Sequence, residues 1–396
     1  MFDAWKGGRG MRSIKVAELK PGQQFDKPVY IDGENLLVPA RVPIRQKDIQ
    51  RLQKWQISEV TTEGDMLSEG FAEGQDEHTF FMRAFKTSEH ELVMKTHTKL
   101  RQQLRKIFEA IRDYDPVETS DIDTIIDALF RLLEQYPNQT VEYILYGFQG
   151  AVTDIDNALN SAIVSSLIGQ NLGMAKHRLI HLATAALLHD VGMLRLPEEI
   201  VKKKGKLTAE EAQTVRTHPV HSYKIITREL RYPEEIGRAA LQHQERWDGQ
   251  GYPKMLSGEN IILFARIIAV VDSFEAMVSK RPYRNSMIGY TAMRNILSDN
   301  GRRFDPQVLK VFIRTMGIYP VGSVVLLNDS SIGRVVEVNH SSPLKPKVKI
   351  MIDNQGREYR DDEGDVVDLV DAKQLFIAKA VDPKELSEQS SEEKEQ

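Results

Sequence analysis

His189 and Asp190 are adjacent ionisable residues that end an otherwise apolar segment, residues 180–191, where the sequence predicts a helix. An imidazole and a carboxylate can together bind a metal ion, although a His-Asp pair alone is also common at structural positions. Two further histidines follow, His218 and His243, and each can be a ligand or an ordinary core residue. The chain thus offers several nitrogen and oxygen ligands for one metal site.

Asp272 lies within the apolar segment 267–274, and a helix there would turn its carboxylate toward the protein core. Removing an ionised carboxylate from water costs free energy unless the group is paired with a cation or binds a metal. Two explanations therefore stay open for Asp272. It is either a metal ligand or the partner of an arginine such as Arg266 or Arg281.

These five residues belong to a longer, ordered series of motifs. The series consists of LLHDVG at 187–192, GKLT at 205–208, His218-Pro219, HQERWDGQGYP at 243–253, Asp272, and RPYR at 281–284. Over roughly residues 141–320, it resembles the HD-GYP family of cyclic di-GMP phosphodiesterases, a branch of the HD phosphohydrolases. This series of motifs is highly specific in both its order and its residues.

The resemblance implies a metal site and assigns its ligands. Asp190 would bridge two ions and, with His189, form the catalytic centre. Imidazole and carboxylate ligands suit Fe or Mn, and two ions can activate a bridging hydroxide for attack on a phosphodiester. The metal ligands implied by the resemblance are His189, Asp190, His218, His243 and Asp272.

The resemblance also implies a substrate-binding side. Arg281 and Arg284 would hold the phosphates of cyclic di-GMP, and the turn Gly251-Tyr252-Pro253 would mark the dinucleotide-specific branch. From chemistry alone, that turn is a tight loop that could equally be scaffold.

Four positions depart from the family pattern. Asn157 stands in place of a ligand His, and the family's acidic residue one turn earlier falls on Thr153. Gln244 replaces the second His of a His-His-Glu sequence, and Met193 replaces a phosphate-binding Lys, so a third metal is not expected. Residues that could substitute for the missing groups, or be ordinary surface residues, are His221 and Arg195.

Three hypotheses about function follow from these observations. We favour a working cyclic di-GMP phosphodiesterase in bacterial second-messenger signalling, with turnover slowed by the departures, because five ligands and both phosphate arginines are present. The alternative is a degenerate HD-GYP receptor or interaction module that binds cyclic di-GMP, or a signalling protein partner, without turnover. A third reading is an HD-type nucleotide phosphohydrolase with another substrate.

Composition limits the class of protein. The 396 residues are 41% hydrophobic and 28% charged, as in soluble globular proteins. The chain has no cysteine, no evident secretory signal and no apolar run long enough to span a bilayer, so we expect a cytoplasmic protein. A net charge of -4 and a pI of about 6.2 give no reason to expect binding to a nucleic-acid polymer.

The elements around the motifs predict a mainly α protein, with a helical HD-type phosphohydrolase domain flanked by small modules. The N-terminal module is predicted to contain strands at 28–31 and 36–44 and a helix at 46–55. The predicted divisions are an α+β module at 1–75, a helical connector at 76–140 with helices at 87–112 and 121–136, the HD-GYP domain at 141–320, a β-rich module at 321–381 with strands within 321–338 and 348–359, and a disordered acidic tail at 382–396.

Overall fold

The computed structural model describes the chain in nine stretches, which together contain all five predicted metal ligands. The stretches are residues 11–33, 35–40, 42–44, 46–67, 87–147, 153–203, 205–278, 289–359 and 363–381. Arg281, Arg284 and the predicted tail at 382–396 lie outside the described residues.

The chain divides into two compact units. The sheet unit comprises residues 1–84, 323–337 and 345–396, and the helical unit comprises residues 85–322 and 338–344. The sheet unit therefore draws on both ends of the chain, which the sequence interpretation treated as separate modules. The predicted class, a mainly helical HD-type domain with small flanking sheet modules, is confirmed.

The sheet unit contains two antiparallel sheets, with strand orders β1-β4-β2-β3 and β8-β7-β6-β5-β9. The predicted strand at 36–44 is shorter than expected because Pro39 lacks the N–H that a sheet ladder needs. Its elements are β1 Arg12–Lys15, a 3-10 turn Val16–Glu18, β2 Val29–Tyr30, β3 Leu36–Val38, α1 Gln46–Lys54, β4 Glu59–Thr62, β5 Val324–Leu327, β6 Ile332–Glu337, β7 Lys347–Ile352, β8 Val366–Asp368 and β9 Ile377–Val381.

The helical unit carries the motif residues. Its helices are α2 Ser88–Arg112, α3 Thr119–Gln135, α4 Pro137–Glu142, α5 Asp154–Asn171, α6 Lys176–Leu188, α7 Glu198–Val201, α8 Ala209–Val215, α9 His218–Lys224, α10 Glu234–Gln242, α11 Leu263–Val278, α12 Gly289–Ser298 and α13 Pro306–Met316, with 3-10 turns Val191–Arg195 and Gly258–Asn260 and π turns Tyr143–Gly147 and Ile225–Glu229. The predicted helices at 87–112 and 121–136 match α2 and α3 to within two residues at each end.

Helix α5 lies at the centre of this unit and packs against α6, α11 and α13. Nearly every residue from Asp156 to Gly169 is buried, including Asn157 and Asn160. The helix begins at a capping box, in which the Thr153 side chain accepts from the Asp156 N–H while Asp156 accepts from the Thr153 N–H. A buried, capped central helix gives the surrounding helices a fixed surface on which to hold the motif residues.

Helix α6 begins at Lys176, four residues before its predicted start, because its first turn is polar and shows no apolar pattern. It ends at Leu188, so that His189 and Asp190 follow its last turn as the sequence indicated. Within the described residues, we find no helix with the length and apolar character needed to cross a membrane.

Candidate metal centre

The structure brings all five predicted ligand side chains together. The Oδ1 atom of Asp190 lies 3.1 Å from Nε2 of His218 and 3.2 Å from Nε2 of His243. Nε2 of His189 lies 3.6 Å from Oδ2 of Asp190 and 3.7 Å from Oδ1 of Asp272. We call these five side chains the HD cluster; their role as metal ligands stays a prediction.

Four elements of the helical unit position the HD cluster. His189 and Asp190 follow α6, and His218 is the first residue of α9. His243 directly follows α10, and Asp272 lies inside α11. Residues more than 80 positions apart in sequence meet because α6 and α11 pack on α5, while α9 packs on α10 and on the turn that follows α6.

Gly192 lets the turn that follows α6 lie directly against the start of α9. A Cβ atom at this position would lie 2.1 Å from the His218 carbonyl oxygen and 2.4 Å from the Ser222 nitrogen. Its N–H instead donates to the Ser222 hydroxyl at 2.8 Å. The glycine in the LLHDVG motif thus sets the distance between the His189-Asp190 turn and the helix that begins at His218.

The three histidines of the HD cluster are oriented in the same way. In each, Nδ1 lies within hydrogen-bond distance of the carbonyl oxygen three residues earlier: 2.7 Å for His189, 2.8 Å for His218 and 2.7 Å for His243. Such a bond places the proton on Nδ1 and directs the Nε2 lone pair into the cluster. This is the arrangement that orients imidazoles as metal ligands.

Two buried atoms of the HD cluster have no hydrogen-bond partner among the described residues, namely Nε2 of His189 and Oδ1 of Asp190. Leaving buried polar atoms unsatisfied is costly, and a metal ion bound here would satisfy both. Ligand atoms of His189, Asp190 and His243 all lie within 4.8 Å of one another. The cluster can therefore hold a metal ion, and its nitrogen and oxygen donors suit Fe, Mn or Zn.

The electrostatics of the HD cluster also favour a cation. Complete burial acts most strongly on His189 and lowers its pKa, but Asp190 and Asp272 outweigh burial and raise that pKa to about 9. Burial lowers the pKa of His243. Burial would raise the pKa of Asp190, yet the surrounding imidazoles hold it well below its ordinary value. The two carboxylates thus remain ionised and attract positive charge to the centre.

Asp272 contacts His189 inside the cluster and not Arg266, one of its two alternative partners; the other, Arg281, lies outside the described residues. Arg266 donates to Asp305 at 2.6 Å, and Asp305 caps the start of α13. The side chain of Gln244 donates instead to Oδ2 of Asp272 at 3.4 Å. One departure from the family pattern, Gln244, therefore orients a carboxylate of the HD cluster, whose other oxygen lies toward His189.

Glu245 fixes the loop that carries the Gly-Tyr-Pro turn, a role that the sequence interpretation missed. Its buried carboxylate accepts from the backbone N–H of Lys254 at 2.7 Å and of Leu256 at 3.0 Å. Gly251 is needed in the same loop because a Cβ there would lie 2.4 Å from the Arg246 nitrogen. The acidic residue two positions after His243 was the only sequence signal for this role.

The loop brings Tyr252 beside the HD cluster. The peptide bond between Tyr252 and Pro253 is cis, and the Tyr252 N–H donates to the Gln244 carbonyl at 3.2 Å. The Tyr252 ring packs edge-on against the His218 ring, with centroids 6.3 Å apart. Two of the three predicted substrate-binding residues of this turn, Gly251 and Tyr252, therefore hold the loop against the site.

Arg195, considered as a substitute for the lysine missing at Met193, is held elsewhere. It pairs with Glu229 at 2.7 Å and donates to the Arg112 carbonyl at 3.1 Å. Its guanidinium lies 3.5 Å from the centroid of the Tyr114 ring. Arg195 thus links the 3-10 turn Val191–Arg195 to the end of α2, and its charge is not available to a ligand bound at the cluster.

The second possible substitute, His221, is also unsuited to binding phosphate, and the departures Thr153 and Asn157 have structural roles. Burial, followed by nearby cations, lowers the pKa of His221, so it is a poor cation for phosphate. Thr153 caps α5, and Asn157 is a buried residue of that helix whose side chain accepts from the Ser161 hydroxyl at 3.5 Å. Within the described residues, no hydrogen bond or ion pair joins any of these three side chains to the HD cluster.

Two family models match the chain. Residues 151–308 match the HD domain, and residues 324–389 match a KOW domain associated with the HD domain. The first match contains every member of the HD cluster, and the second covers strands β5 to β9 of the sheet unit.

Curated proteins are similar to much of this chain. The chain is 26% identical to the cyclic di-GMP phosphodiesterase PdeB of Borreliella burgdorferi over 324 residues, which cover 82% of this chain and 84% of the relative. It is 32% identical to a cyclic di-GMP phosphodiesterase of Pseudomonas aeruginosa over 244 residues, or 62% of this chain and 58% of the relative. A solved HD-GYP-type protein from Bdellovibrio bacteriovorus aligns over 76% of this chain and 98% of its own, at 16% identity and a TM-score of 0.44. The resemblance to the HD-GYP phosphodiesterases is confirmed.

Proposed function

We propose that this chain, whose residues 151–308 match the HD domain family, is a metal-dependent phosphodiesterase of the HD-GYP type that hydrolyses cyclic di-GMP. The proposal is supported by the HD cluster and by the relatives, which carry the name of that activity. The finer points, namely this substrate, two metal ions and their identity as Fe or Mn, are our inference.

The orientation of the Asp190 carboxylate carries the proposal. One oxygen faces Nε2 of His218 and of His243, at 3.1 and 3.2 Å, while the other faces Nε2 of His189 at 3.6 Å. A carboxylate whose two oxygens face different imidazoles is placed to bridge two ions. Asp272, on the far side of His189, would complete the ligands of the second ion.

The residues of the chain divide the chemistry among them. When bound, two metal ions lower the pKa of a water molecule between them and polarise the phosphodiester oxygens. The histidines would hold the metal through Nε2, and their bonds from Nδ1 to backbone carbonyls prevent the rings from turning. No side-chain nucleophile is needed, and the chain has no cysteine to provide a thiolate.

The substrate side of the site has one described part and one predicted part. Tyr252 places an aromatic ring beside His218, where a nucleotide bound at the cluster would contact it. Arg281 and Arg284 lie outside the described residues, and their binding to phosphate stays a prediction.

A non-hydrolysing receptor for cyclic di-GMP is the second candidate. The observation in its favour is that Gln244 contacts a carboxylate of the site where the family has a histidine, so that one imidazole ligand is lost. Met193 likewise removes a cation that would stabilise a developing negative charge. Both changes weaken catalysis more than they weaken binding of the nucleotide.

Anaerobic hydrolysis assays distinguish the two functions. The purified chain, supplied with Mn(II) or Fe(II), is incubated with cyclic di-GMP, and products are separated by chromatography. We expect turnover by the wild type and none by Asp190→Ala, while Asp127→Ala, which removes an exposed carboxylate on α3, serves as the control. Binding of cyclic di-GMP without product would establish the receptor instead, and neither binding nor product would reject both.

A further inference from the structure

Glu275 is a buried carboxylate residue of α11, with 3% of its surface exposed. It lies three residues after Asp272, so the two are about 4.5 Å apart along the axis of the same helix and on neighbouring faces. The side-chain amide of Asn160, on α5, donates to Oε1 of Glu275. A directional bond therefore joins α5 to α11 within one helical turn of a predicted metal ligand.

Asn160 extends this connection to a third helix. Its Oδ1 atom lies 3.3 Å from Nε2 of His97, a buried residue of α2. Burial, the largest influence, lowers the pKa of His97 to about 4, so the ring is neutral near pH 7 and carries one proton. Because the Asn160 nitrogen donates to Glu275, its oxygen is the acceptor, and His97 donates from Nε2. The Glu275 carboxylate thus sets the direction of both bonds.

A second polar link holds α2 on α5. Arg101, one turn after His97, pairs with Asp156 through Nε and Oδ1 at 2.5 Å, and its Nη2 donates to Oδ2 at 3.1 Å. Asp156 is also the residue that closes the capping box of α5. Helices α2 and α5 are therefore fixed to each other beside the point at which Asn160 reaches α11.

The other contacts that hold α11 are mainly apolar. Its buried side chains include Ile267, Ile268, Val271 and Phe274, which lie on more than one face of the helix. Burial of apolar surface is not directional, whereas a hydrogen bond demands both a distance and an angle. The bond from Asn160 to Glu275 thus restricts rotation and sliding of α11, and with them the direction of the Asp272 carboxylate toward His189.

We propose that Glu275, Asn160 and His97 are positioning residues for Asp272 and hold it in the orientation that binds metal. They act through α11, and in this role they are not ligands. Helix α2, which lies outside the matched HD domain at 151–308, thereby becomes part of the support of the metal centre. The inference rests on the proposed function, because it requires Asp272 to bind metal.

A double-mutant cycle on Mn(II) binding tests whether Asn160 acts through Asp272. Asn160→Leu removes both hydrogen bonds and should raise the Mn(II) dissociation constant, measured by chelator competition on the full chain, by about tenfold, as for residues that orient a metal ligand. In a chain that already carries Asp272→Ala, the same change should have no further effect. An equal rise in both backgrounds would show that Asn160 supports the fold in general, and would overturn the inference.

Variants of His97 test the other end of the connection and keep the inference testable if Asn160→Leu does not fold. His97→Leu removes the donor to Asn160 and should weaken Mn(II) binding, whereas His97→Gln keeps a donor and should restore the wild-type affinity. His90→Leu is the matched control, because His90 is another buried histidine of α2, and its Nε2 lies 2.6 Å from Glu142 on α4.

The control separates lost stability from lost positioning. His90→Leu should lower the free energy of unfolding and leave the Mn(II) dissociation constant unchanged. If His97→Leu binds Mn(II) as tightly as His90→Leu does, or if His97→Gln fails to restore the affinity, the inference is wrong while the proposed function stands. If the wild type binds no Mn(II), the inference and the proposed function are both wrong.

Discussion

The Nε2 atoms of His218 and His243 lie 3.3 Å apart. Each ring places its Nδ1 against a backbone carbonyl, so both Nε2 atoms present lone pairs toward one another and toward Asp190. Two lone pairs and a carboxylate oxygen at such distances repel unless a cation lies among them. The separation of these two nitrogens therefore suits a cation held between them and Asp190.

Asp190→Ala should abolish metal-dependent stabilisation. Adding Mn(II) at a hundred times its dissociation constant should raise the free energy of unfolding of the wild type by about 2.7 kcal/mol, because the ion binds only the folded state. The variant loses the carboxylate that contacts three imidazoles and should show little shift. Thermal unfolding with and without Mn(II) measures this effect. If the variant keeps the Mn(II)-dependent stabilisation of the wild type, Asp190 does not bind the metal.

Gly192→Ala should disturb the site without touching a ligand. The new Cβ would lie 2.1 Å from the His218 carbonyl, so α9 must move, and we expect a loss of about 1–3 kcal/mol in stability together with weaker metal binding. Gly205→Ala is the control, because a Cβ there meets no atom within 4 Å. Urea unfolding and metal titration of the two variants test the prediction. If the two variants have equal stability and equal metal affinity, a side chain at Gly192 does not displace α9.

Gln244→His should tighten metal binding. The imidazole would replace an amide that now donates to Asp272, and it would add a nitrogen ligand beside His243. Competition with a metal chelator should show a lower metal dissociation constant than in the wild type. A higher dissociation constant would show instead that the bond from Gln244 to Asp272 matters more than an added ligand.

Met193→Lys should act on the reaction rather than on the metal. A cation near His189 would stabilise negative charge that develops on the phosphate oxygens, and a positioned donor of this kind is worth about 2.7–4 kcal/mol in kcat. We expect a faster turnover of cyclic di-GMP with unchanged metal content. An unchanged kcat in a folded, metal-loaded variant would show that the position does not face the substrate.

His97 should make the protein less stable in acid. Burial, the largest influence, lowers the pKa of His97 from its ordinary 6.5 to about 4. Between those values the unfolded chain binds a proton that the folded protein does not, so stability falls as the pH drops from 6.5 toward 4, by up to about 1.4 kcal/mol per unit. His97→Gln, which keeps a donor for Asn160, should flatten that dependence in metal-free urea unfolding. If the free energy of unfolding depends on pH in the same way in both proteins, the lowered pKa of His97 is not the cause.

Much of the site could be predicted because its ligands are encoded in short motifs. His189 and Asp190 end a helix whose apolar character is visible, and Asp272 is conspicuous inside an apolar helix. The roles of Glu245 and Arg195 could not be predicted, since each depends on partners brought close by folding. A charged residue in a sequence does not show which backbone N–H or carboxylate it will contact.

The fold was predicted less completely in the sheet unit than in the helical unit. Helices such as α2 show their periodicity within one segment, whereas β1 and β4 are short and pair with partners about 50 residues apart. Strands β8 and β9 were not predicted for the same reason, because their stability comes from β7 and β5 rather than from their own residues. The two ends of the chain form one unit through side-chain packing, in which Leu36 and Val42 lie against the apolar cluster of the C-terminal sheet.

The rate of cyclic di-GMP cleavage as a function of bound metal tests the central claim most directly. Metal-free protein is titrated anaerobically with Fe(II) or Mn(II), and the metal content and the initial rate are measured at each point. If Asp190 bridges two ions, as we propose, the rate should remain low through the first equivalent and rise as the second binds. Full activity with one ion, or no cleavage by protein that holds two, would contradict the account.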